Sequence, residues 1–325
     1  MNIGIMGLGS IAHTMAKTLL KMKDEGIVLK ACASRKLDKA LAFSRKFHIQ
    51  KAYGSYEELV ADESIDLIYI ATPHSEHYKN ALLCINGGKN ALVEKAFTTD
   101  HLKAEEMFKK AENRKVLLTE AIWTRYMPSR RIIDELVSSK IIGDIYYVYA
   151  DLGYLISHHN RLTDPALAGG ALLDVGIYPL NFAQMVFHEI PSKINAIANM
   201  YKTGVDATSS YDLSYSENKL ASLSSSMVCL TSRRGIISGD KGFIEVKNIN
   251  NPEQIKVFDQ NRKLIRKIKI PKQISGYEYE IRECKKAIEE HSLECPSMPH
   301  KDSIDMMKIY DEIRKQIGVV YPFEK

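Results

Sequence analysis

NIGIMGLGSIA, residues 2–12, decides how this chain is read. Asn2–Met6 is a short apolar run of strand character. Ile11, Met15, Leu19 and Met22 follow at helical spacing. A strand, a glycine-rich turn and a helix start form a cradle for phosphate. Gly7 permits the tight turn, and Gly9 lets the backbone approach a pyrophosphate. Ala12 keeps the helix close to the sheet, and Ser10 and Ile11 open the helix whose free N–H groups face the anion. A six-residue glycine pattern by itself is weak. A strand before it and a helix after it make a dinucleotide site the stronger reading.

Outward from this turn, strand and helix patterns alternate for about 120 residues, as in a parallel sheet with crossover helices. Strands are predicted at Ile3–Met6, Val28–Ala33, Leu67–Ala71, Ala91–Val93 and Val116–Thr119. Helices are predicted at Ile11–Met22, Leu37–Phe47, Tyr56–Val60, Glu76–Ile85 and Leu102–Glu112. After Trp123 the texture changes. Helices are expected at Ser129–Ser138, Ala171–Phe187, Glu278–Glu290 and Ser303–Ile317. Strands are expected at Ile145–Leu152, Lys193–Met200, Ser210–Tyr215, Leu220–Leu230, Gly235–Ser238, Phe243–Val246, Ile255–Phe258 and Leu264–Ile268. So many successive strands predict an open, mostly antiparallel sheet. The expected fold is α/β: a Rossmann domain over 1–121 and an α+β domain over 122–325, with the last helix able to pack back on the first.

Composition sets bounds. The chain has 325 residues, 45% hydrophobic and 26% charged, an ordinary globular balance. Net charge is +5, from 45 basic and 40 acidic residues with no dense basic block, so nucleic-acid binding is not indicated. No signal peptide or membrane span is read from the sequence. Five scattered cysteines, Cys32, Cys84, Cys229, Cys284 and Cys295, include no CxxC pair and suit reduced thiols in the cytoplasm.

Four segments could carry chemistry. At the end of the second strand, Ser34 and Arg35 stand where an acid would read the ribose of NAD. A hydroxyl and a guanidinium suit a 2′-phosphate and favour NADP(H) over NAD(H); a solvated basic turn is the plain alternative. Thr72-Pro73-His74-Ser75-Glu76-His77 follows the fourth strand, at the sheet edge where ligands sit. Pro73 forces Thr72 into extended geometry. His74 and His77 lack a third ligand at a telling spacing, so no metal is predicted. Either His77 caps or packs under the helix, or the segment makes a backbone contact with the nicotinamide half of the cofactor. Glu94-Lys95 closes an apolar strand, either as a structural ion pair or with Lys95 stabilising a developing alkoxide. Asp174 and Tyr178, four apart, share a helix face among apolar neighbours. Pro179 is expected to kink or delay that helix. Tyr178 is either a core aromatic or a general acid/base whose phenol, near 10 when unperturbed, a nearby ammonium would lower.

GLGSIA, ATPxxxH, the EKA tripeptide at 94–96 and GGALLDVGIYP at 169–179 resemble the Gfo/Idh/MocA oxidoreductases. TEAIWTRYMP (119–128), TGVDAT (203–208), GYEYEIREC (276–284) and the tail IGVVYPFEK (317–325) are similar to its branch of dimeric dihydrodiol and D-xylose dehydrogenases. The resemblance implies hydride transfer between NADP(H) and a sugar, polyol or vicinal diol. It implies Lys95 and Tyr178 as catalytic residues, with Asp174 orienting the substrate or Lys95. It implies Trp123 and Arg125 at the cofactor, and Trp123 and Tyr154 at the substrate. The family commonly has EKP with a cis bond after the lysine; Ala96 leaves that bond open to either geometry. A homodimer through the second domain's sheet is expected, with Tyr211, Leu213 and Tyr215 alternating as one covered face. A non-catalytic dinucleotide sensor and an NAD-recycling glycosidase are the competing functions on this scaffold.

Overall fold

The computed structural model describes residues 1–324 and divides into two compact units. The first comprises Met1–Tyr126 and Gln273–Ile304; the second comprises Met127–Lys272 and Asp305–Lys325.

In the first unit the chain runs β1 (Asn2–Met6), α1 (Ser10–Leu19), β2 (Val28–Ala33), α2 (Leu37–Phe47), β3 (Lys51–Tyr53), α3 (Tyr56–Ala61), β4 (Leu67–Ile70), α4 (His74–Asn86), β5 (Asn90–Glu94), α5 (His101–Arg114) and β6 (Leu118–Ala121). The six strands are all parallel, in the order β3-β2-β1-β4-β5-β6. The order reverses between β1 and β4, so both strands end at the switch point where such sheets bind ligands. Strands buried on both faces read as continuous apolar runs, and Leu67–Ile70 are fully covered.

The second unit contains α6 (Pro128–Ser138), β7 (Ile145–Gly153), α7 (Asn160–Thr163), a π-helical segment (Leu172–Gly176) and α8 (Ile177–Phe187). Strands β8 (Lys193–Met200), β9 (Asp206–Ser214), β10 (Leu220–Ser226), β11 (Arg234–Gly239), β12 (Gly242–Lys247), β13 (Gln254–Asp259) and β14 (Leu264–Lys269) follow. They form an eight-stranded sheet, β14-β13-β12-β11-β7-β10-β9-β8, antiparallel except between β7 and β10. Its register sets one apolar row across seven strands: Ile194, Leu213, Ala221, Val148, Ile237, Ile244 and Val257. The stretch Pro165–Phe187 is long and apolar enough to cross a membrane by composition, but 89% of its most apolar window is buried inside the protein, as a core helix requires.

The structure adds detail to three expectations. The two compact units are not separated by one cut at 121/122, and the last helix, expected to be able to pack back on the first domain, contributes to both. Helix α9 (Glu278–Glu289) belongs to the first unit, where Arg282 pairs with Glu25 at 2.7 Å. Helix α10 (His300–Ile317) starts there, with Ser303 donating to Glu120, and ends in the second unit, where Asn181 donates to the Tyr310 hydroxyl. Secondly, Tyr211, Leu213 and Tyr215 are 0%, 1% and 6% exposed, so their alternation marks the face under the unit's own core. The opposite face carries Asn195, Asp212, Ser222, Tyr149, Ile236, Glu245 and Lys256 in one row. Thirdly, the irregularity at Pro179 takes the form of the π segment: proline offers no N–H to the preceding turn, and a wider turn accommodates it.

Candidate active site

The glycine turn is built as its sequence requires. Gly7 has φ +87°, donates its N–H to Ala33 O at 3.1 Å, and a Cβ there would lie 2.8 Å from Thr72 Cγ2 and 2.9 Å from Ala71 O. A Cβ on Gly9 would meet nothing within 4 Å. Gly9 is the N-cap of α1 and no side chain caps that helix start, so its first N–H groups lack a capping acceptor. Exposed Ser10 and half-buried Ile11 begin the helix. This cradle fits the pyrophosphate of a dinucleotide: close backbone, room beside it, and a helix dipole aimed at it.

At the end of β2, Ser34 is 8% exposed and its hydroxyl accepts the Lys36 N–H at 3.4 Å. Arg35 is exposed. It borders a cavity of about 560 Å³ with Ser55, Tyr56, Tyr78 and Lys79. Burial raises the Tyr56 phenol pKa above its usual value, and the Arg35 charge opposes the rise. Arg35 therefore lines this cavity, close enough to Tyr56 for its charge to act on the phenol.

The segment after β4 and the lysine loop after β5 are joined through His77. That ring is fully buried; one nitrogen lies 2.8 Å from Thr72 O and the other 2.8 Å from Ala96 O. Burial holds its pKa below the ordinary histidine value, against the two carbonyls and with the Lys95 charge. His77 thus braces two loops through its ring, and the expected contact of this segment with a cofactor rests on its backbone. Asn80 Nδ2 donates to Thr72 Oγ1 at 3.0 Å, fixing the same loop. His74 is 8% exposed at the first position of α4, behind Pro73.

Lys95 follows β5 through a cis Lys95–Ala96 peptide. Three buried side chains hold the backbone around it. Glu94 accepts the Lys95 N–H at 3.2 Å and the Tyr69 hydroxyl. His77 faces the Ala96 carbonyl, and Glu120 accepts the Phe97 N–H at 3.2 Å. Glu120 also accepts the Ser303 hydroxyl at 2.9 Å, and burial pushes its pKa up to about 7. Nothing in the local sequence pattern marked Glu120, because its partners lie 23 and 183 residues away. Trp123 stacks on Tyr277 with centroids 4.3 Å apart. Arg125 is 5% exposed and pairs with Asp302 at 2.6 Å, so its charge is committed within the first unit.

In the second unit, Asp174 sits on the π segment, 4% exposed, and Arg161 of α7 donates to it at 2.8 and 3.4 Å. That partner was not foreseen. Tyr178 is 7% exposed on the first turn of α8. The Tyr154 hydroxyl accepts from Asn250 at 3.2 Å, and the Arg233 guanidinium lies over its ring. Among the described residues no three His, Cys, Asp or Glu side chains converge as a metal site.

Residues 1–122 match the family model of the oxidoreductase family with an NAD-binding Rossmann fold, and residues 131–245 match the GFO/IDH/MocA C-terminal domain. The mouse protein named trans-1,2-dihydrobenzene-1,2-diol dehydrogenase is 34% identical over 99% of this chain and 98% of its own. The chain belongs to the Gfo/Idh/MocA family. The human protein of the same name is 33% identical over the same shares. Among solved structures, a 3-ketoreductase from Actinomadura kijaniata in complex with NADP and TDP-benzene superposes with TM-score 0.88 at 22% identity, covering 98% of each chain. An aldose-aldose oxidoreductase from Caulobacter crescentus gives 0.87 at 19%, covering 97% of each. As a Gfo/Idh/MocA member this chain is an oxidoreductase with an NAD(P)-binding Rossmann domain.

Proposed function

We propose that this protein is an NADP-dependent dehydrogenase or reductase that acts on the CH–OH group of a sugar, polyol or vicinal diol. The observation that carries the reading is identity of 32–36% to proteins named trans-1,2-dihydrobenzene-1,2-diol dehydrogenase along essentially the whole chain. The phosphate cradle holds the dinucleotide through Gly7, Gly9, Ser10 and Ile11. Thr72, Pro73, His74, Glu94 and Lys95 lie along the same sheet edge. Ser34 and Arg35, in place of an acid, support recognition of a 2′-phosphate.

NADP(H), held at the glycine cradle, would supply hydride exchange with a carbinol carbon. Tyr178 takes the hydroxyl proton in oxidation and returns it in reduction. The Lys95 ammonium assists by stabilising negative charge on the substrate oxygen. Asp174, paired with Arg161, orients substrate hydroxyls, and Trp123, Arg125 and Tyr154 contribute to the cofactor and substrate walls. A homodimer through the sheet face bearing Tyr149 and Ile236, and a cytoplasmic location for a chain of free thiols, complete the proposal.

The test is NADPH formation with a panel of diols and sugars, beside NAD, for the native enzyme and Tyr178→Phe. Loss of the proton-exchanging hydroxyl lowers turnover by about 10²–10⁴-fold while NADP affinity holds. Wild-type turnover in Tyr178→Phe would end the acid/base assignment. A dinucleotide that stays bound through gel filtration and turns over without net NADPH would favour internal recycling instead.

A further inference from the structure

We propose that Asp206 is a positioning residue for the segment that carries Asp174 and Tyr178. The proposal deepens the function above and rests on it. Asp206 opens β9 and is 1% exposed. Its Oδ2 accepts the Leu172 N–H at 2.7 Å and the Ser209 hydroxyl at 3.0 Å. Leu172 is the first residue of the π segment, which runs directly into α8, and no neighbouring side chain caps that start. The carboxylate from another element of the same unit therefore supplies the acceptor that the helix start lacks, at the end where the helix dipole favours negative charge. The approach is close enough to dictate sequence: Gly170 has φ +120°, and a Cβ there would lie 2.2 Å from Asp206 Oδ1.

The same segment is gripped at further points. The Tyr321 hydroxyl donates to Gly169 O at 3.0 Å. A Cβ on Gly176 would lie 2.7 Å from the Tyr211 hydroxyl and 3.0 Å from Ser225 Oγ. These contacts pack the segment, while Asp206 holds an N–H of its first turn. A π segment carries one residue more than the α-helix it interrupts. If the first turn is released and relaxes to α geometry, residues before the bulge rotate by about 100° relative to those after it. Asp174 lies in the bulge and Tyr178 in the turn that follows it, so release of Leu172 shifts the backbone that positions both.

Asp206→Ala is compared with Asp206→Asn, whose amide oxygen still accepts the Leu172 N–H. Hydrogen exchange of the peptide spanning 171–178 and steady-state kinetics are read together. Loss of a hydrogen bond to a charged group speeds exchange in Asp206→Ala roughly 10–100-fold. Turnover falls by about the same factor, KM for NADP is unchanged, and Asp206→Asn recovers most of both. Native exchange in Asp206→Ala overturns the anchor, and fast exchange with native turnover overturns the positioning role. If Asp206→Ala does not fold, a folded Asp206→Asn with native exchange and collapsed turnover overturns the proposal. Wild-type turnover in Tyr178→Phe removes the function proposed above, whereas the exchange readout depends on Asp206 alone.

Discussion

Replacing Glu120 by glutamine changes how stability depends on pH, and the size of the change follows from where the carboxyl sits. Glu120 is 2% exposed, accepts the Phe97 N–H and the Ser303 hydroxyl, and has its pKa pushed by burial from 4.5 to about 7. Arg125 opposes that rise and Glu94 adds to it. In the unfolded chain the carboxyl releases its proton near 4.5; in the folded chain it keeps it to about 7. Between those values the native state binds the extra proton, so stability is full at low pH and declines as pH rises through the interval. At 1.36 kcal/mol per pH unit the loss amounts to about 3 kcal/mol.

Glutamine cannot titrate. Glu120→Gln should therefore show a fixed cost of about 1–3 kcal/mol, from an amide NH₂ placed where only acceptors were needed, with this part of the pH dependence removed. Asp206, raised by burial to about 6, and Glu280 also favour the folded state at low pH, so the native curve contains all three. The difference between the native and Glu120→Gln curves isolates one of them. Thermal unfolding at half-unit steps from pH 4.5 to 8 measures it. The gap in midpoint between the two proteins should narrow by roughly 6–12 °C as pH rises, at 2–4 °C per kcal/mol. Parallel curves would refute the reasoning, since they would mean that Glu120 titrates alike in both states.

Gly9→Ala should leave the melting temperature unchanged within about 2 °C, because its Cβ meets nothing, yet weaken dinucleotide binding measured by calorimetry if, as proposed, that space takes the pyrophosphate. Gly7→Ala should lose stability as well as binding, since its φ is +87° and its Cβ strikes the Ala71 carbonyl. Arg35→Ser should raise KM for NADP about 10–100-fold and leave KM for NAD nearly unchanged, which steady-state kinetics with both cofactors decides. Arg161→Met leaves Asp174 buried without its guanidinium, and should cost about 1–3 kcal/mol in urea unfolding; native stability would show that the pair is dispensable.

The strand–turn–helix opening was legible because local rules determine it: apolar run, permissive glycines, helical spacing. β3 was not, because Lys51–Tyr53 is three half-buried residues with no alternation to read. The alternation of Tyr211, Leu213 and Tyr215 identified a covered face correctly, but alternation says which side chains are covered and never by what. Periodicity also has no signature for a π segment; Pro179 signalled an irregularity without specifying its form. The partners that hold the site lie furthest from local rules. Glu120 meets Phe97 and Ser303, Arg161 meets Asp174, and Asp206 meets Leu172, each through chain reversals that no spacing encodes.

Both proposed catalytic side chains stand on backbone held by buried acids whose folded pKa values lie above those of free carboxyls. Glu120 braces the loop after Lys95, and Asp206 braces the helix start before Tyr178. Each acid favours the folded state most strongly when protonated. As an acceptor for a backbone N–H, however, each is strongest when ionised, since a charged acceptor makes the shorter and stronger bond. The two requirements pull in opposite directions across the same interval. Raising pH from 5 to 8 should therefore lower the global unfolding free energy while increasing the protection of the Phe97 and Leu172 amides, measured as exchange relative to the unfolded chain at the same pH. Protection at those two amides that falls in step with the loss of global stability would mean that the acids act only through overall stability and do not brace the site.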